Sequence, residues 1–444
     1  MGAERGTDSS HLHGSAGEEV AGSDDDQDGW VEGPVAEVLL TRAKPGVPPR
    51  GKRALRARNA RVHYDHSVRV ALVHDWLTGL RGGEKALEVF CELFPAADLF
   101  TLVHIPGTTS EMIEKRMVRR SAIQWLPFAG KLYREYLPLF PVAVEQFDLD
   151  PYDLVISTSH CAAKSVVVTG RARHLCYCLT PMRYAWDQFE AYFGPDRVGA
   201  LASQLLRPVM AGMARWDRAT EGRVHRYLAI SQYVARRIAL YYNRESTLVY
   251  PPVDTDFYAP ASEPADVTPR SDDRPHFLVV SALVPYKRVD LAMMAAKQAG
   301  ARLTVVGAGP ERSRLEAFAG DGVELVGRQT DEEIRTLYRS CVATILPGEE
   351  DFGIVPVESQ ACGRPVVALG RAGALDTVID GETGVLVPDP SLDSLVLGLR
   401  RAAAASWNPT RIRAHAEQFS RTRFLAEVTR VVEETMSAPA GQRW

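Results

Sequence analysis

The sequence predicts an α/β protein built from two Rossmann-like domains, each a parallel sheet clad in helices. Three observations predict it. From about residue 68 to 435, short apolar runs alternate with stretches of helical period. Glycine-bearing turns join strand to helix at Gly82-Gly83 and at Gly307-Ala308-Gly309. A stretch rich in Pro, Ser and Asp, SEPADVTPRSDDRP, divides the pattern in two.

The 444 residues suffice for two such domains. A composition of 45% hydrophobic and 24% charged residues is that of a globular enzyme, and a net charge of −4 gives no bulk attraction to nucleic acid. The six cysteines form no CxxC pair, so buried free thiols in a reducing cytoplasm are expected. No apolar run approaches a membrane span, and the acidic N-terminus does not read as a signal peptide. Residues 1–67 read as a disordered extension: ten acids against one base in the first forty residues, then seven bases and no acid from Arg42 to Arg58.

In chain order, VRVALV (from Val68) reads as a strand, HDWLTGLRGG as a glycine-rich loop and GEKALEVFCELF as a helix with Leu87, Phe90, Cys91 and Phe94 on one face. Gly82 and Gly83 let the backbone approach a ligand and present N–H groups to it. DLFTLVH is the next strand. The stretch QWLPFAGKLYREYLPLFPVAVEQF then mixes Trp125, Leu126, Phe128, Leu132, Tyr133, Leu137 and Phe140 with Lys131 and Arg134. It reads either as a basic, aromatic helix pair suited to a membrane surface or as helices packed on the sheet. DLVISTSH ends in His160 and HLCYCLTPMRYAWD carries Arg183, both at the ends of strands. RYLAIS and STLVYPPV flank the helix QYVARRIALYY, and PPVDTDFY reads as the crossing between domains.

The second domain opens with the strand HFLVVSAL at His276. Lys287 and Arg288 follow at its carboxyl end, where two cations suit an anionic group. RLTVVGAGPERSRLEA and VELVGRQTDEEIRTLY repeat the strand–turn–helix scheme. VATIL is a buried strand broken by Pro347 and Gly348. A loop holding Glu350 and Asp351-Phe352-Gly353 leads into a helix starting near Val355 or Pro356, which puts Glu358 in its first turn. Seven residues separate the two glutamates, so a loop and a helical turn bring both to one small site at the carboxyl end of the sheet, where open α/β sheets bind ligands. A first-turn glutamate also serves the helix dipole. PVVAL and TGVLV are the last strands, residues 411–436 the last helix, and SAPAGQRW a frayed tail.

GGEKALE, YCLTPMRYAWD, YPPVDTDFY, LVPYKRVDLA, VVGAGPERSRLE and PGEEDFGIVPVESQACGRP, in this order, resemble the retaining glycosyltransferases of family 4, and within it the exopolysaccharide or O-antigen mannosyltransferase branch. The resemblance implies the GT-B fold, with the two domains facing across a cleft and the last helix crossing back. It divides the chain into the extension 1–67, an acceptor domain 68–252, a donor domain 253–410 and the returning helix 411–444. It implies that Glu350 contacts sugar hydroxyls and Glu358 the nucleotide ribose. Lys287 and Arg288 are expected on the leaving diphosphate, and Phe352, Gly353, Ile354, Gly307, Gly309 and Arg328 around the donor. Gly82, Gly83 and Arg183 are expected on the diphosphate and acceptor, with His160 in the catalytic cleft.

No metal and no cofactor are implied beyond a nucleotide-sugar co-substrate, with GDP-mannose favoured and a UDP-sugar as the other choice. The implied acceptor is a glycan or polyprenyl-linked glycan, met in the cytoplasm or peripherally at the inner membrane face, and no nucleic acid is a partner. Two positions depart from the family pattern: Ala282 stands where an arginine is usual, and Leu179 where a histidine precedes the TP turn. They leave open a second class, a nucleotide-sugar-binding scaffold with little catalysis. A sugar epimerase is a third.

Overall fold

The computed structural model describes residues 68–261, 274–439 and 441–444. The extension 1–67 and most of the interdomain linker lie outside the described residues.

The first lobe is a seven-stranded sheet of β1 (Val70–Leu77), β2 (Asp98–His104), β3 (Val118–Arg120), β4 (Leu154–Ser159), β5 (Arg173–Cys178), β6 (Arg226–Ala229) and β7 (Ser246–Leu248). Its order is β3-β2-β1-β4-β5-β6-β7 and every pairing is parallel. The second lobe is a six-stranded parallel sheet of β8 (His276–Val280), β9 (Arg302–Val306), β10 (Val323–Gly327), β11 (Ala343–Leu346), β12 (Val366–Leu369) and β13 (Gly384–Val387). Its order is β10-β9-β8-β11-β12-β13. Both sheets reverse direction of winding beside their first strand, between β1 and β4 and between β8 and β11. A crevice opens at that switch point, outside the carboxyl ends of the strands.

The central strands are buried on both faces because helices cover both sides, which is why they read as continuous apolar runs. The helices that bear on function are α1 (Gly82–Leu93), α2 (Ala200–Ala219), α3 (Gln232–Tyr242), α4 (Val289–Ala299), α5 (Asp331–Ser340), α6 (Ile354–Ala361), α7 (Pro409–Ala416) and α8 (Arg421–Ser437). Helix α5 starts on a capping box in which Thr330 and Glu333 satisfy each other's backbone N–H groups.

Several expectations change. His74, Asp75 and Trp76 belong to β1 rather than to a loop, because the strand runs on to Leu77 with every residue buried. The stretch 122–145 is not a helix pair. Pro127, Pro138 and Pro141 break it into four short turns, the longest Phe140–Glu145. The edge strand β3 and the helices between Arg183 and Ala219 were not foreseen; α2 carries Pro208 in its interior. The last helix is two. α7 stays on the second lobe, where the Arg413 guanidinium donates to the Ala361 carbonyl at 2.8 Å. The return begins at Ser420, which bridges to Val253 and so ties the two crossings side by side. From there Phe424 packs edge-on against Phe90 and Tyr177 of the first lobe. The C-terminal residues are not frayed: the Trp444 N–H donates to His225 at 3.1 Å, and Arg244 donates to the Trp444 carbonyl at 2.9 Å.

Candidate active site

The second lobe supplies one wall of the crevice. β11 ends at Leu346, and Gly348 lies so close to the Tyr286 carbonyl that a Cβ there would sit 2.6 Å from it. That approach sets the next residues against the 285–288 turn, and the Lys287 ammonium pairs with the Glu350 carboxylate. Burial by itself lowers the lysine; the Glu350 charge outweighs it and holds Lys287 above its ordinary value. Arg288, in the left-handed region at φ 52°, turns instead to Asp290 at 3.2 Å, and its side chain is 40% exposed. Gly353, at φ 89°, caps α6 and makes the turn that a side chain would resist. Glu358 falls in the second turn of α6, not the first, because the helix begins at Ile354. It is buried, and its Oε2 accepts from the Tyr338 hydroxyl at 2.9 Å. Burial pushes its carboxyl above the ordinary range. Gly307 (φ 145°) and Gly309 pass against the Ser281 and Leu283 carbonyls, where a Cβ would collide. Arg328 is exposed at the end of β10.

The first lobe supplies the facing wall. Asp75 is fully buried on β1 and accepts four backbone N–H groups, from His160, Cys161, Ala162 and Ala163, at 2.6 to 2.9 Å. It also meets His160 Nδ1 at 3.1 Å. The His160 ring stands edge-on to Trp76 with centroids 4.4 Å apart, and burial pushes its basicity down. Burial thus favours the neutral ring, with Nδ1 turned toward Asp75. Register places Ser159 opposite Cys178, so His160 and Leu179 end neighbouring strands at one level. The Leu179 side chain lies under Gly83, where a Cβ would come within 2.8 Å of its Cδ1.

The walls meet. A Cβ on Gly82 would sit 2.9 Å from Ile354 Cδ1 of the other lobe. Lys85 Nζ, one turn into α1, stands 3.7 Å from Glu358 Oε1. Arg183 does not stand free for an anion: it pairs with the buried Asp351. The structure therefore brings Glu350, Lys287, Glu358, Gly353, Ile354, Gly82 and Arg183 into one crevice and leaves Arg288 and Arg328 outward. Asp75, Lys85 and Asp351 are residues that sequence reasoning missed. An acid inside an apolar strand run was the available signal for Asp75, because a buried carboxylate needs partners. Lys85 and Asp351 gave none, since each acts only across the gap.

Residues 263–419 match the family described as glycosyl transferases group 1. That match spans the strands of the second lobe, β8 to β13, and its helix α7. Over 276 residues the chain is 29% identical to a D-inositol 3-phosphate glycosyltransferase of Mycobacteroides abscessus, covering 54% of this chain and 61% of that protein. It is 31% identical over 205 residues to a GDP-mannose-dependent alpha-(1-6)-phosphatidylinositol monomannoside mannosyltransferase of Mycolicibacterium smegmatis, covering 39% of this chain and 54% of that protein. The chain thus spans less than two thirds of the length of these curated relatives. Among solved structures, Anabaena HepE in complex with UDP and glucose superposes with a TM-score of 0.60 at 18% identity, over 82% of this chain and 99% of that one. The fold of the whole described chain is GT-B: two parallel-sheet lobes opposed across a crevice.

Proposed function

We propose that the protein is a retaining glycosyltransferase that moves a hexosyl group, mannose from GDP-mannose in the favoured form, onto a glycan or lipid-linked glycan. The observation that carries the reading is the pairing of Glu350 with Lys287 at the carboxyl edge of the sheet that matches the group 1 family, with buried Glu358 in the following helix. The mannosyltransferase relative supports GDP-mannose; the UDP-bound structural neighbour keeps a UDP-sugar as the other donor.

In this reading Glu358 holds the ribose and Glu350 orients the sugar. Lys287 and the N–H groups at the start of α6, joined by Arg288 once it leaves Asp290, neutralise the diphosphate as the bond from C1 to phosphate oxygen breaks, with the electron pair leaving on that oxygen. The acceptor hydroxyl forms the new bond to C1 on the same face and passes its proton to the departing phosphate. The charge on the leaving group is met by side chains, so we propose that no metal ion takes part. Trp125 and Phe128 are exposed at 77% and 76%, Leu132, Leu139 and Val142 on the following turns are exposed too, and Arg120 lies over the Trp125 ring at 5.5 Å. This apolar, basic rim on the first lobe supports an acceptor met at a membrane surface. No helix among the described residues is long and apolar enough to cross a membrane.

The test is transfer by the purified protein from GDP-mannose, UDP-glucose and UDP-N-acetylglucosamine to lipid-linked glycans, with chelator present. Glu350→Ala is expected to lower kcat about 10²- to 10³-fold with little change in thermal midpoint; full activity in that variant removes Glu350 from the mechanism. Leu179, which cannot hydrogen-bond a sugar, favours one second reading, a donor-binding scaffold. Donor binding by calorimetry without turnover on any acceptor identifies it.

A further inference from the structure

Asp351 lies between Glu350 and Phe352, and consecutive residues here do different work. Glu350 pairs with Lys287 of its own lobe. Phe352 packs against Tyr250 and Phe419 of the two crossings, with ring centroids 5.8 and 5.5 Å away. Ile354 abuts Gly82 across the crevice. Asp351 is a buried carboxylate whose hydrogen-bond partners among the described residues belong to the first lobe. It forms an ion pair with Arg183, and Thr180 Oγ1 donates to it at 3.4 Å. Thr180 and Arg183 sit on the turn that leaves β5, so the contact ties the end of one sheet directly to the loop of the other.

The partnership also governs charge. Arg183 lies close enough to Lys287 for its positive charge to disfavour the ammonium. Two cations from different lobes therefore flank one crevice, each held by one of two adjacent carboxylates, Glu350 and Asp351. Glu350 and Asp351 are joined by one peptide bond, and the Glu350 carbonyl accepts from the Gly373 N–H at 2.8 Å.

We propose that Asp351 is a positioning residue that sets the register of the two lobes, holding Arg183 in the crevice beside Lys287 and fixing Glu350 through the chain. Its kinetic consequence rests on the transferase reading; its structural consequence does not. Asp351 touches no reacting atom in this scheme. It fixes how far the lobes stand apart when the donor and acceptor meet, a geometry in which misplacement by about 1 Å costs roughly 10²-fold in rate.

The experiment measures the distance between spin labels on the exposed sites Asp196→Cys in the first lobe and Gln298→Cys in the second, the six native cysteines being buried. Asp351→Asn is expected to broaden the distribution toward longer distances, and Asp351→Arg combined with Arg183→Asp to bring it back. In transfer assays Asp351→Asn is expected to lose about 10- to 100-fold in kcat, with donor KM within about threefold because Glu358 and Lys287 are untouched. Asp351→Glu, which keeps the charge, is expected to recover part of that loss. An unchanged distance distribution in Asp351→Asn overturns the proposal, and so does a fall in kcat that leaves the distribution as in the wild type. A wild type that transfers no sugar sinks the transferase reading alone, because the distance measurement still decides the role of Asp351.

Discussion

The two lobes share one winding order yet furnish their switch points in opposite ways. In the second lobe the crevice edge is built from neighbours in sequence: Glu350, Asp351, Phe352, Gly353, Ile354 and Glu358 follow one another out of β11. In the first lobe it is built from distance. Asp75, within β1, finds its four N–H partners 85 to 88 residues later, in the turn after β4. The second arrangement keeps its charges partly open to a ligand. The first saturates its carboxylate completely and so behaves as a joint that fixes His160. One edge is arranged to handle charge and the other to hold shape.

The largest expected effect comes from breaking that joint. Asp75→Asn keeps the size of the side chain but halves its acceptor oxygens, so buried N–H groups of residues 160–163 lose partners. Stability is expected to fall by about 3–5 kcal/mol, read as a lowered denaturant midpoint with an unchanged slope. A loss under about 1 kcal/mol would show that the turn after β4 holds itself, and would erase the contrast with the Glu350 side, where truncation is expected to cost rate and leave the fold intact.

The same contrast explains what was legible in the sequence. The second-lobe site could be read because glycine turns, paired glutamates and cations lie within single strand–loop–helix units, and local spacing fixes where they point. In the first lobe, two polar residues in VALVHDWL suggested a loop, although a tertiary partner makes them strand. The stretch from Gln188 to Ala219 gives no reading: its short helices carry no long amphipathic period, and Pro208 argues against α2 although the helix forms. The prolines at 127, 138 and 141 are the local signal against the expected helix pair, since each removes a donor and breaks the run. Lys85 and Asp351 could not have been found, since each gains its meaning from a lobe the local sequence does not describe.

A smaller effect tests whether the lobes touch as described during turnover. Gly82→Val would push its side chain into Ile354 across the crevice, while leaving each lobe's own core alone. Donor KM is expected to rise about fivefold, near 1 kcal/mol, with stability within about 0.5 kcal/mol. Ile354→Ala in the same chain is expected to recover most of it. If the two substitutions simply add, Gly82 and Ile354 are not in contact in the working state, and the crevice is wider there than the structure shows.

The smallest effect is a difference of sign between one buried glutamate in each lobe. Burial raises the Glu84 carboxyl, but the His74 ring, with Nε2 3.8 Å from Oε1, and the Arg81 charge outweigh it, and the folded value lies below the ordinary 4.5. The native state then binds fewer protons than the unfolded chain, so Glu84 contributes stability above that value that is lost as pH falls through the folded one. Glu358 is the reverse. Burial dominates over Lys85 and Tyr338, the folded value lies above 4.5, and stability falls as pH rises from there through the folded value. Glu358→Gln removes that titration, so across this window the variant is expected to gain on the wild type as pH rises. Glu84→Gln is expected to lose ground to the wild type on the same climb, over a window set lower. Thermal midpoints from pH 3 to 7 read both slopes. Parallel slopes would mean that Lys85 reaches Glu358 closely enough to cancel its burial, and that the second-lobe carboxylate is held for structure as the first-lobe one is. Opposed slopes would leave Glu358 a buried charge kept at a cost in stability, which is what a carboxylate reserved for a ligand's hydroxyl groups requires.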